Sequence, residues 1–67
     1  MTPEIDAIKA EFEACTSIEE VNAKAQKHGP RVAALRAEGG ESKLGAIHIT
    51  NLAGWMRREI KRREKDA

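Results

Sequence analysis

The residues of this chain best equipped for chemistry are cations near its C-terminal end. Arg57, Arg58, Lys61, Arg62 and Lys65 fall within residues 57–67. On a helix their spacing gathers them into one arc, roughly opposite Ile49, Leu52, Met56 and Ile60. Such a face can track a nucleic-acid backbone, because each neutralised phosphate releases counterions. The same arc also serves as a plain solvated face, since cations are favourable near a helix C-terminus. Acids interrupt it: Glu59 stands four residues before Arg63, the spacing of a helical ion pair.

The remaining candidates are weaker. Residues 39–45 run from Gly39-Gly40 through Ser42 and Lys43 to Gly45. A glycine-rich loop entering a helix can bind an anion through free backbone N–H groups. A phosphate loop, however, needs glycine directly before Lys-Ser or Lys-Thr and a preceding strand, and this run has neither. A cap and linker explains it. His28, His48 and Cys15 are too widely spaced for a zinc site. His28 reads as a helix C-terminal residue and His48 as a boundary histidine. No nucleophile stands beside a base, so no enzyme, cofactor, metal or small-molecule substrate is predicted.

Trp55 and Met56 form the one apolar pair with the composition of an interface hot spot: an indole with large contact area beside an adaptable thioether. Trp55 is also the largest side chain available to a core, and that plainer role competes with the first. A partly exposed Trp55 beside Arg58 would favour the interface.

These residues have to be positioned by a small chain. Sixty-seven residues form one domain, 1–67, able to bury only about 60% of its unfolded surface. Phe12 and Trp55 are its only aromatic residues, so the core falls to Ile, Leu, Val, Met and Ala. So light a core favours burial against a protein partner or a second copy. One cysteine allows no internal disulfide, no apolar run approaches a membrane span, and residues 1–9 lack the pattern of a signal peptide. A soluble cytoplasmic protein with no membrane partner is expected. The formal charge of +1 conceals an asymmetry: residues 1–28 hold six acids and three bases, residues 57–67 six bases and three acids.

Helical signals recur along the chain. Thr2, Pro3 and Glu4 open a first helix over residues 3–14, with Ile5, Ile8, Phe12 and Cys15 as its buried stripe. Ser17 and Glu20 have the spacing of a capping box and open a second, over 18–28, lined by Ile18, Val21 and Ala25. Gly29 and Pro30 predict a stop. Pro30 then opens a short third helix with Val32 and Leu35, ended by Gly39-Gly40 in a flexible loop.

Residues 42–65 form the long helix around which the others pack, with residues 62–67 open to fraying. It carries two apolar lines: Leu44, Ile47 and Trp55, with His48 and Asn51 beside them, and Ile49, Leu52, Met56 and Ile60. So broad an arc implies more than one packing partner. Residues 46–50 are β-branched and would also suit a strand, but a lone strand has nothing to pair with. Gly54 inside this helix permits close approach of a neighbour or a slight bend.

Ile5 and Ile8, followed by residues 14–21 (Ala14-Cys15-Thr16-Ser17-Ile18-Glu19-Glu20-Val21), resemble the C-terminal helix-turn-helix segments of phage single-strand-annealing recombination proteins. Those segments join an apolar helix, a small-residue turn and a second helix opening with an acidic pair. The resemblance covers roughly the first half of the chain, residues 5–35, and implies a small phage or prophage accessory protein. The annealing core of those proteins has no counterpart, so no strand-binding residue carries over.

The expectation is therefore an all-α domain of three or four helices, an N-terminal hairpin packed on a long C-terminal helix. Its predicted core is Ile5, Ile8, Phe12, Ile18, Val21, Leu35, Leu44, Ile47, Leu52, Trp55, Met56 and Ile60. Function is expected to be non-enzymatic: a protein-interaction module, self-associating or serving a larger machine. The alternative is nucleic-acid binding through the C-terminal basic face.

Overall fold

The computed structural model describes residues 2–66, with side chains described for residues 2–65. Three helices make up the fold: α1 (Pro3–Glu13), α2 (Ile18–Glu38) and α3 (Gly40–Asp66), with no strand among the described residues. Residues 46–50 are helical. At about 1.5 Å per residue, the 27 residues of α3 span some 40 Å, matching the 41 Å long axis of the molecule. Both other helices pack on this rod, α2 most extensively, while α1 and α2 touch each other least.

Local chemistry sets the first two starts. Thr2 Oγ1 accepts the Ile5 N–H at 3.2 Å, and Pro3 follows where its missing N–H is harmless. Ser17 Oγ accepts the Glu20 N–H at 3.1 Å. The returning half of the capping box lands one residue early: Glu20 Oε1 accepts from Thr16 N–H at 3.3 Å and from Thr16 Oγ1 at 2.7 Å.

The predicted stop at Gly29-Pro30 does not occur, and there is no separate short helix. Helix α2 runs through both residues to Glu38, and Gly29 keeps a negative φ. Proline inside a helix forfeits a hydrogen bond and crowds the carbonyl four residues back, at about 3 kcal/mol. Two features offset that cost. Pro30 and Gln26 are exposed, so the freed carbonyl faces water. Continuing the helix also keeps Val32 and Leu35 in phase with Val21 and Ala25, so one stripe of α2 meets the core across its whole length.

The predicted loop around Gly39-Gly40 is likewise tighter than expected. Gly39 alone separates α2 from α3, and Gly39 (φ 76°) and Gly40 (φ 57°) take left-handed backbone that glycine adopts without penalty. The chain reverses there, and Arg57 Nε of α3 donates to Asn22 Oδ1 of α2 at 2.9 Å.

The core consists of Ile5, Ile8, Phe12, Cys15, Val21, Leu35, Ala46, Ile49, Ala53, Met56 and Ile60, with Ile18, Ala25, Val32 and Leu52 partly buried around it. Gly45 is part of the design: a Cβ there would collide with the Ile5 side chain, so glycine permits α1 to cross close over α3. Three expected core members are not in the core. Leu44 is 54% exposed, Trp55 is 50% exposed and Ile47 is only half-buried. Of the two apolar lines on α3, the one with Ile49, Met56 and Ile60 faces α1 and α2, and the other faces outward. Only two helices pack on this rod, so the outer part of the broad arc stays uncovered.

Candidate interaction surface

The outer face of α3 is built by the burial of its inner face. Ile49, Ala53, Met56 and Ile60 point at α1 and α2, which turns Leu44, His48, Asn51, Trp55, Arg58 and Arg62 the other way. All six are exposed. Trp55 and Met56, adjacent in sequence and paired as interaction candidates, therefore separate: Met56 is 3% exposed and belongs to the core, Trp55 is half open. Leu44 is the second large apolar side chain left in water, three turns before Trp55 on the same side. Residues 44–56 contain no Asp, Glu, Lys or Arg, although charged residues make up 34% of the chain. From Leu44 to Trp55 the exposed side of α3 therefore carries no formal charge, the composition of an interface centre.

The basic end divides as well. Arg58, Lys61, Arg62 and Lys65 are exposed, while Arg57 is half-buried and held by Asn22. Glu59 draws Arg62 to 2.6 Å and Arg63 to 3.8 Å. Arg58, Lys61 and Lys65 remain presented to solvent beyond Trp55.

A second feature lies on the opposite side of α3. A cleft of about 170 Å³ opens between the helices, walled by Phe12, Ala25, Val32, Ile49 and Ala53, with His28 and Arg57 beside it. His28 Nε2 is shielded from water and stands 3.0 Å from Glu11 Oε2. Lys24 Nζ is 3.1 Å and Lys27 Nζ 3.5 Å from the other Glu11 oxygen. The Lys24 ammonium first and the His28 ring second hold the Glu11 carboxyl down to about 2. Glu11 is thus the hub that ties α1 to α2 along the edge of the cleft.

The other sequence candidates are placed apart. His48 is on the outer face and His28 at the cleft. Cys15 is buried, its Sγ donating to the Glu11 carbonyl at 3.3 Å, and burial pushes its thiol pKa up. Gly39 and Gly40 form the turn between α2 and α3. Among the described residues no three of His, Cys, Asp and Glu are grouped to hold a metal ion, and no helix is long and apolar enough to cross a membrane.

Sequence periodicity assigns both Leu44 and Trp55 to the core, and of the two only Trp55 also reads as an interaction residue. The signal that could have marked Leu44 was the pairing of two apolar lines on a helix with too few partners to cover both.

No family model, no curated protein and no solved structure matches this chain.

Proposed function

We propose that this protein is a non-enzymatic helical interaction module whose docking face is the outer side of α3, centred on Trp55 with Leu44. The observation that carries this reading is the half-exposed indole on an uncharged stretch of a helix whose other side holds the core. A tryptophan left in water forgoes a large burial term that an interface recovers. On the resemblance of its N-terminal half, the larger machine it serves would be a phage or prophage assembly.

The test is affinity capture from the native cell with the intact chain and with Trp55→Ala and Leu44→Ala. Both positions are exposed, so both variants keep their helical circular dichroism, and both lose the captured protein. Capture that is indifferent to both substitutions sinks the proposal.

A second reading rests on a different observation: Arg58, Lys61 and Lys65 are exposed and make no ion pair closer than 4 Å among those found between described residues. With Arg62 they give a face for a phosphate backbone. Duplex binding through four cations has a slope of log affinity against log salt of about −3.6. Replacing Arg58, Lys61, Arg62 and Lys65 by Glu abolishes such binding, and salt-insensitive binding refutes it.

A further inference from the structure

We propose that the occupant of the outer α3 face is a second copy of this chain, the two α3 helices packing antiparallel with Leu44 of each copy against Trp55 of the other. The inference rests on the interaction reading of that face and names its partner.

The first observation is spacing. Leu44, His48, Asn51 and Trp55 follow one another at intervals of four, three and four residues, the repeat of a seam between two helices, and carry no formal charge. Straight α-helices lay such a series along one side, and here that side is exposed.

The second is self-complementarity. A two-fold interface must place one patch against itself, so its residues must pair in reverse order. Centred between Ile49 and Thr50, an antiparallel pair of α3 helices sets Leu44 against Trp55 and His48 against Asn51, and then repeats both pairs on the other side of the axis. Apolar meets apolar and hydrogen-bonding group meets hydrogen-bonding group. The basic turns from Arg58 onward come to lie at or beyond the start of the other α3, so the cations stay out of the seam.

The third is Gly54. Glycine inside a helix is unfavourable and needs a reason. Gly45 has one within the chain, the close crossing of Ile5. Gly54 has none: a Cβ there would meet only the Arg58 guanidinium, at 3.7 Å. In the antiparallel pair Gly54 flanks the seam opposite Ile47 of the second copy, the half-buried β-branched residue left over on this face. A small residue facing a large one lets the two helices approach.

Sedimentation equilibrium of the full chain from low micromolar to millimolar concentration shows a monomer–dimer equilibrium if this is right. Trp55→Ala and Gly54→Ala each weaken dimerisation by tenfold or more, and Gly54→Ala does so while raising the thermal midpoint of the dilute monomer. Spin labels on Lys61→Cys and Lys43→Cys, each in a Cys15→Ala background, fix the arrangement. The proposed register separates the two Lys61 labels by about 35 Å along the axis and the two Lys43 labels by about 20 Å.

Equal separations indicate parallel helices, and a longer Lys43 separation indicates another antiparallel register; either overturns the proposal. A chain monomeric at millimolar concentration overturns it too. If that monomer still shows capture dependent on Trp55, the docking face stands and only its occupant was misassigned. If capture is also lost, the interaction reading fails with it.

Discussion

Arg31 forks onto Glu4, with Nε and one terminal nitrogen each 2.8 Å from a different carboxylate oxygen. Seven residues further along α1, Glu11 meets Lys24, seven residues earlier on α2. The two pairs fix α1 and α2 as antiparallel neighbours. Arg31 makes the first pair from the part of α2 that lies beyond Gly29 and Pro30. The bidentate geometry lowers the Glu4 pKa and raises that of Arg31.

Pro30 is exposed in the interior of α2, so its removal costs no packing. Pro30→Ala restores a helical N–H and relieves the clash with the preceding turn. The gain is about 2 kcal/mol, after allowing for the greater freedom that alanine gives the unfolded chain. Urea denaturation monitored by circular dichroism measures it, and a destabilised variant would refute the account of α2 as a helix carried through its proline by the core.

The two glycines inside α3 respond in opposite directions. Gly45→Ala places a methyl group against the end of the Ile5 side chain, which is fully buried and has to shift within the packed core, so destabilisation of about 1–3 kcal/mol follows. Gly54→Ala meets only the Arg58 guanidinium, at an ordinary contact distance of 3.7 Å, and stabilises the dilute monomer by about 1 kcal/mol. Thermal melts of the two variants beside the parent chain distinguish them.

Trp55 and Met56 give the same contrast between neighbours. Met56→Ala opens a cavity in the core and costs about 2–5 kcal/mol, enough to unfold much of so small a domain. Trp55→Ala in dilute solution costs under about 1 kcal/mol, because half of the indole is in water already. Equal losses at the two positions would show that the indole is a core residue.

Acid stability follows from the carboxylates. Glu11 is held down to about 2 from an ordinary value of 4.5, and Glu4 and Glu20 are lowered by Arg31 and by the Thr16 hydroxyl. A carboxyl whose folded pKa lies below its unfolded one binds fewer protons in the folded state. Its contribution is therefore complete above about pH 4.5 and lost as the pH falls towards about 2. Urea midpoints measured across that interval fall with pH, and Glu11→Gln makes the fall shallower. The groups face water, so added salt reduces the effect.

Much of the fold is written in local signals that need no neighbour. Thr2 and Ser17 cap the helices they predict, Gly39 ends one, and the stripe of Ile5, Ile8, Phe12 and Cys15 is buried as its spacing requires. The all-α class and the long C-terminal helix follow from such terms, because a cap or a periodic stripe acts within a few residues.

Tertiary packing decided what those terms left open. At Pro30 a local stop signal of about 3 kcal/mol was outweighed by keeping Val32 and Leu35 in register with α3. On α3 itself two apolar lines had equal local standing, and periodicity cannot say which of two faces other helices will cover. The crossing of Ile5 over Gly45 turned Ile49 and Met56 inward and left Leu44 and Trp55 in water. Which residues are exposed, and hence where a partner could dock, depends on contacts between residues far apart in the chain, and only the assembled structure contains those.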